Sequence, residues 1–176
     1  MNREICRSVL RLVGLGLLLL LSGCDGGGDS PTEPQSGILF TPDSSAGSNS
    51  IILRRVGGTS TTLELEIFAT DVANVHSVLI AMTFPTNLLR FNGYVEGELL
   101  NPSIPVVVTA FNTVLITQPR LSPAGVSGSG RIGTLTFAAI GEGTGRIDFL
   151  DPQALDPVGQ EIAGVDWIGG SVQVTF

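Results

Sequence analysis

Serine hydrolases activate their nucleophile with a histidine base that an acid orients. This chain of 176 residues has one histidine, His76, which lies between Val75 and Ser77 at the start of an alternating apolar segment. None of its serines lies in the Gly-x-Ser-x-Gly motif that presents a nucleophile on a sharp turn. The sequence therefore predicts no Ser-His-Asp chemistry.

Paired carboxylates are the other candidates for chemistry, because glycoside hydrolysis uses two of them. Glu64 and Glu66 lie on one face of a predicted strand, about 7 Å apart by the strand repeat, but their alternation with leucines is typical of a solvated sheet face. Asp148, Asp151 and Asp156 surround a predicted loop without the regular spacing of a calcium loop, and we interpret them as turn-capping residues. We predict no catalytic residue, metal site or cofactor, and hence a protein that is not an enzyme.

The N-terminus combines positive charge with a short apolar segment. Residues 12–21 are apolar, and the small residues Ser22 and Gly23 follow them. A helix of ten residues is about 15 Å long, half the thickness of the hydrocarbon core. The order of positive charges, a short apolar segment and small residues is typical of a secretory signal peptide. The positive charges before the apolar segment come from Arg3, Arg7 and Arg11.

The end of this segment, Leu21-Ser22-Gly23-Cys24, resembles the lipobox of bacterial lipoproteins, in which the cysteine is acylated before cleavage. The resemblance implies that residues 1–23 are a lipoprotein signal peptide and that Cys24 carries the lipid. It also implies an extracytoplasmic protein of the bacterial cell envelope, attached to a membrane through that lipid. Because Cys6 leaves with the signal peptide and Cys24 is acylated, we expect no disulfide in the folded domain.

Residues 24–36 contain glycine, proline, serine and acidic residues and no large apolar side chain. This composition predicts a flexible linker that spans on the order of 20 Å. The remaining residues, 37–176, are enough for one domain with a sizeable core.

The charge of the mature chain limits its partners. Residues 24–176 contain six arginines, no lysine and fifteen acidic residues. Such a chain repels nucleic acid phosphates and anionic lipids, so binding to nucleic acid is not expected and membrane attachment depends on the lipid at Cys24. Without lysine, the glycines at 128–130 are not a phosphate-binding loop, and we interpret them as a bend.

Residues 37–176 show short runs of period-two alternation between Gly, Pro, Asn and Ser, and no sustained helical period. We therefore predict an all-β domain. Because the Cys-Trp-Cys core of immunoglobulin domains is absent, we favour a β-sandwich with jelly-roll topology and about nine strands. The predicted strands are residues 38–41, 51–56, 63–68, 78–84, 106–111, 114–118, 133–139, 145–150 and 170–176.

Two of these segments carry specific expectations. Residues 78–84 are apolar on both faces, which predicts a central strand that is covered on both sides. Val106, Val107 and Val108 are expected in the core. Asn112 and Thr113 separate two strands, and asparagine tolerates the positive φ of a two-residue hairpin turn.

Short sequence motifs across residues 37–176 resemble those of the cohesin family of bacterial scaffoldin modules. An aromatic strand end, a leucine, two glycines and paired leucines occur at the intervals of that family, although Pro85-Thr86 replaces its usual Asp-Pro turn. These residues are Phe84, Leu89, Gly93, Gly97, Leu99 and Leu100.

The second half of the domain resembles the family as well. The glycine-rich residues 128–130 lead into Ile132-Gly133-Thr134-Leu135-Thr136-Phe137, similar to the family's Leu-x-Phe strand. A closing Asp-x-x-Gly hairpin and a final Gly-x-Val-x-Val strand follow. The matching residues are Asp156, Gly159, Ile162, Gly170, Val172 and Val174.

The resemblance implies a non-enzymatic module whose flat sheet surface binds a dockerin-type protein domain, a partner often attached to polysaccharide-degrading enzymes. The segment 78–84 and the hairpin around Asn112 are the places to look first for contacts. One alternative is a carbohydrate-binding module for polysaccharide, which needs exposed aromatic rings, with Tyr94 and Trp167 the candidates besides phenylalanines. Another alternative is a passive envelope or adhesion component.

Overall fold

The computed structural model describes residues 36–176. The predicted signal peptide, Cys24 and the linker up to Gln35 lie outside the described residues, so their assignments stay predictions. The described residues contain no helix, and therefore no helical membrane span. Their eleven strands are β1 (Gly37–Pro42), β2 (Ser50–Gly58), β3 (Thr62–Val75), β4 (Ser77–Thr83), β5 (Leu89–Glu96), β6 (Val106–Ala110), β7 (Thr113–Pro119), β8 (Val126–Ala139), β9 (Gly143–Leu155), β10 (Asp166–Ile168) and β11 (Gly170–Thr175).

The predicted all-β class is confirmed, and each of the predicted segments overlaps a strand. The structure adds β5 and β10. In β5 the pairing register with β8 shifts between Phe91 and Gly93, which interrupts the alternation that would have identified a strand. Strand β10 has three residues, too few to show a period.

The strands form two sheets. A six-stranded sheet has the order β1-β11-β9-β4-β7-β6, and a five-stranded sheet has the order β10-β2-β3-β8-β5. Neighbouring strands are antiparallel except for the short parallel pair of β10 with β2. The non-sequential strand order is consistent with the predicted jelly-roll topology of a β-sandwich.

Alternate side chains of both sheets point inward and form one core. From β3 these are Leu63, Leu65 and Ile67, which are fully buried as their alternation with polar residues predicts. At the centre lies Phe137 of β8, whose ring centroid is 5.4 Å from that of Phe84 and 5.6 Å from that of Phe91. These aromatic residues connect the end of β4 with the paired strands β5 and β8.

The glycine-rich residues 128–130 form no bend, contrary to our prediction, and lie within β8. They face the irregular end of β3, where Asp71 and Asn74 have positive φ values of 48° and 56°. The backbone N–H of Asp71 donates to the Ser129 hydroxyl, and that of Asn74 donates to the Ser127 hydroxyl, both at 2.9 Å. The serines thus satisfy donors that the bulged strand leaves unpaired.

A buried polar contact joins the two sheets. The Tyr94 hydroxyl of β5 donates to Oε1 of Gln118 in β7, and Gln118 is fully buried. The Gln118 amide donates to the Ser103 hydroxyl at 3.0 Å and to the Ile132 carbonyl at 3.3 Å. Burial raises the pKa of Tyr94 above its ordinary value, so the phenol stays protonated and remains a donor.

Removing the Tyr94 hydroxyl is expected to destabilise the domain. Tyr94→Phe leaves the buried Gln118 carbonyl without its phenol donor, and such a loss costs about 1–3 kcal/mol. Urea unfolding measures the difference, and Gln118→Leu provides the matched background. In that background Tyr94→Phe should cost less, because the hydroxyl then loses only its contact with the Ile132 carbonyl oxygen at 3.1 Å. An equal loss in both backgrounds would contradict the pairing of Tyr94 with Gln118.

Candidate functional site

Two of the side chains considered for catalysis, those of His76 and Glu66, have structural partners. His76 lies between β3 and β4, and its Nε2 is 3.0 Å from the Ser122 carbonyl oxygen. Glu66 is buried and paired with Arg54, whose guanidinium carbon lies 3.6 Å from the ring centroid of Phe68. Glu64 points to solvent from the same face of β3. The solvated sheet face predicted for both glutamates is confirmed for Glu64, whereas Glu66 is buried and paired with Arg54.

The three aspartates considered for calcium have separate surroundings. Asp156 caps a turn, because its Oδ1 accepts the backbone N–H groups of Val158 and Gln160, each at 2.9 Å. Asp151 lies at an irregularity of β9 with a φ of 44°. Asp148 accepts hydrogen bonds from Arg146. Within the described part of the chain no three His, Cys, Asp or Glu side chains come together in a way that could hold a metal ion.

Arg146 joins two carboxylates at the rim of a recess of about 550 Å³. It donates to both oxygens of Asp43, at 3.0 and 2.6 Å, and to both oxygens of Asp148, at 2.8 and 2.7 Å. The hydrogen bonds from Arg146 lower the pKa of Asp43, and the two carboxylates raise the pKa of Arg146. Both ion pairs are exposed to solvent, so we assign them a small contribution to stability.

The aromatic candidates for sugar stacking lie in different surroundings. Trp167 lines the same recess and packs edge-to-face against Phe149, with ring centroids 5.1 Å apart. Tyr94 is mostly buried, and its hydroxyl is hydrogen-bonded to Gln118 inside the sandwich. The two residues therefore do not form the planar aromatic strip that the carbohydrate alternative needs.

An exposed apolar surface lies on the outer face of the six-stranded sheet, across β9, β4, β7 and β6. The strand registers place Val108, Leu115, Ala81 and Leu150 side by side in one row. The adjacent row runs through Val106, Thr117, Leu79 and Gln153. We call the apolar members of these two rows the apolar face: Leu79, Ala81, Val106, Val108, Leu115 and Leu150.

The apolar face is accessible in the domain. Leu79 is 36% exposed, Leu115 46% and Leu150 50%. The prediction that both faces of residues 78–84 are covered is therefore wrong. The expected core position of the valines is wrong for Val106 and Val108, which are more than half exposed, whereas Val107 between them packs against the core. Period-two alternation distinguishes the two faces of a strand, but it does not tell whether a second apolar face is covered.

The outer face of the five-stranded sheet has a different chemistry. Its central rows carry the Arg54–Glu66 pair and Glu64, opposite Thr134 and Thr136 of β8. The two rows of the outer face across β9, β4, β7 and β6 contain no charged residue. Large uncharged apolar patches on a folded domain mark surfaces that bind another molecule. The apolar face is therefore the candidate functional site.

The β6–β7 hairpin borders this face, and its turn differs from the prediction. Ala110 pairs with Thr113, so the two loop residues are Phe111 and Asn112 and not Asn112 and Thr113. The positive φ, 51°, occurs at Phe111 and not at asparagine. Phe111 is 98% exposed.

No protein-family model and no curated protein matches the sequence. Solved structures do match the fold. A type II cohesin domain from the cellulosome of Acetivibrio cellulolyticus is 17% identical with a TM-score of 0.58, and the alignment covers 80% of this chain and 95% of that one. A non-cellulosomal cohesin from the hyperthermophilic archaeon Archaeoglobus fulgidus is 15% identical with a TM-score of 0.55, covering 77% of this chain and 88% of that one.

A third match comes from a structure described as a type II cohesin–X-dockerin complex from Acetivibrio cellulolyticus. It is 10% identical with a TM-score of 0.58, and the alignment covers 67% of this chain and 93% of that one. At these identities the shared property is the fold. The described domain has the β-sandwich fold of cohesins, which confirms at the level of the fold the resemblance seen in the sequence.

Proposed function

We propose that this cohesin-fold domain is a non-enzymatic binding module that docks a dockerin-type protein partner on its apolar face. The observation that carries the proposal is the uncharged, accessible apolar face. It lies on a domain whose fold matches those of solved cohesin structures. One of the matched structures is described as a complex with an X-dockerin, which supports the choice of partner. The partner is further proposed to belong to a polysaccharide-degrading enzyme.

The shape and chemistry of the apolar face suit a protein partner. The surface extends over four neighbouring strands, whereas small ligands bind in concave pockets. Burying the exposed part of each leucine and valine side chain of this face against a partner contributes about 1 kcal/mol to binding. The sum of these contributions supplies affinity without ion pairs, which agrees with the absence of charge in the two central rows.

Direct binding tests the proposal. The mature chain, residues 24–176 with Cys24→Ser to avoid acylation, is titrated calorimetrically with a purified X-dockerin module in the presence of calcium and after its removal by a chelator. We expect saturable one-to-one binding that depends on calcium, because the resemblance implies a partner with calcium-binding loops. Failure to bind any of a panel of dockerin modules, together with retention on insoluble polysaccharide, would instead support the carbohydrate alternative.

We further propose that the module is held at the extracytoplasmic side of a membrane in the bacterial cell envelope, by lipid on Cys24. The support is the match of Leu21-Ser22-Gly23-Cys24 to the lipobox. Residues 24–36 then act as the linker between the lipid and the β-sandwich. An acyl chain provides membrane affinity that the acidic domain lacks.

Substituting the predicted lipid-bearing cysteine tests this anchor. Cys24→Ala is expected to abolish labelling by a palmitate analogue and to release the protein from the membrane fraction. The reason is that residues 24–176 contain no other cysteine that could be acylated. Cys6→Ala is the matched control and should label as the parent does. Continued labelling of the Cys24→Ala protein would refute the anchor.

A further inference from the structure

Phe111 is the most exposed of the large apolar side chains in residues 36–176. It lies at the tip of the β6–β7 hairpin, one residue beyond the strand that contributes Val106 and Val108 to the apolar face. The ring thus gains almost no burial in the isolated domain. A phenylalanine at this position does not stabilise the fold through packing.

The backbone of Phe111 is also unfavourable for its residue type. Positive φ is uncommon for residues other than glycine, asparagine and aspartate, and for a bulky residue it is an outlier. In this loop the positive φ occurs only at the first of the two central residues, a pattern for which hairpins prefer glycine. Such outliers persist where the surrounding structure holds them, and they concentrate at functional sites.

The surrounding structure holds the tip in place. The backbone N–H of Phe84, at the end of β4, donates to the Asn112 carbonyl at 2.9 Å. The pairing of Ala110 with Thr113 closes the loop at its base. A fixed loop that carries an aromatic ring with only two side-chain torsions loses little conformational entropy when the ring is bound.

We propose that Phe111 is the anchor side chain of the interface, inserting into an apolar recess of the dockerin-type partner while the apolar face covers the surface beside it. This inference rests on the proposed function and adds the residue that determines affinity and specificity. Aromatic side chains commonly provide the dominant contacts of protein interfaces. The position combines complete exposure, a conformation that is unfavourable for phenylalanine, and continuity with the apolar face.

Opposite effects on stability and binding distinguish an anchor from a structural residue. In Phe111→Gly we expect the midpoint of thermal unfolding to stay the same or rise by up to about 4 °C, because the strain at positive φ is relieved. Affinity for the X-dockerin module should fall at least about 30-fold, the effect of losing a dominant contact. Phe111→Asn, which tolerates positive φ but lacks the ring, should lose binding equally, and Phe111→Tyr should retain most of it.

The control is Val95→Ala, which shortens an exposed side chain on the outer face of the five-stranded sheet and should leave affinity unchanged. Wild-type affinity in Phe111→Gly, or a clear drop in its unfolding midpoint, overturns the role of Phe111 while leaving the proposed function intact. If the parent protein binds none of the dockerin modules, the proposed function is overturned, and the role of Phe111 with it. Sedimentation tests for self-association. If the parent protein is a dimer and Phe111→Gly is a monomer, the ring binds a second copy of this chain, which overturns its role as the anchor for a dockerin-type partner.

Discussion

Replacing Leu115 by aspartate is expected to lower affinity for the dockerin-type partner by at least about 100-fold. Leu115 occupies the middle of the apolar face, between Val108 of β6 and Ala81 of β4. In the complex the new carboxylate would be buried against apolar groups without a partner, which costs several kcal/mol. In the free domain the side chain at this position is 46% exposed, so the carboxylate stays hydrated and the fold should remain stable.

Val95→Asp is the matched control for Leu115→Asp. It adds the same charge at an exposed apolar position, but on the outer face of the five-stranded sheet. Calorimetry with the X-dockerin module and thermal unfolding are measured for both variants. Equal loss of affinity in the two variants would indicate a general charge effect, and parental affinity in Leu115→Asp would exclude the apolar face as the binding surface.

Phe137→Ala is expected to lower the free energy of unfolding by about 3–5 kcal/mol. Phe137 is fully buried and contacts the rings of Phe84 and Phe91, so its removal leaves a cavity and deletes two aromatic contacts. A domain of this size is stable by only about 5–15 kcal/mol in total. The variant should therefore unfold at a much lower urea concentration than the parent, or fail to accumulate in folded form.

The control for Phe137→Ala removes the same atoms at the surface. Phe176 is 58% exposed at the end of the chain, and Phe176→Ala should change the free energy of unfolding by about 0.5 kcal/mol or less. Urea unfolding with linear extrapolation gives both values. Similar small effects of the two substitutions would contradict the central place of Phe137 in the core.

The strands were predictable because their signal is local. In β3 the alternation of Leu63, Leu65 and Ile67 with polar residues predicts the inward face, and the structure buries these three side chains. Strand β5 was missed because its register shifts at Gly93, and β10 because three residues show no period. The bend predicted at residues 128–130 was wrong because these glycines lie in β8 opposite the irregularities of β3, a long-range pairing that glycine content does not reveal.

The candidate site was predictable only in part. The segment 78–84 and the hairpin near Asn112 were the expected places for contacts, and the structure pairs them as β4, β7 and β6 of one sheet. Their burial was predicted incorrectly, since the outward residues Leu79, Val106 and Val108 are exposed. Apolar composition gives the same signal for a face covered by another layer and for a face that binds a partner.

The sequence by itself determined the all-β class and the inward residues of the best-alternating strands, because side-chain direction in a strand depends on neighbouring positions alone. It also provides the only basis for the lipid at Cys24, which remains a prediction tested by labelling. Tertiary structure decided which outer sheet face is apolar and open, and it placed positive φ and full exposure at Phe111. These properties depend on the order of strands and on pairings between segments far apart in the chain, which local periodicity does not specify.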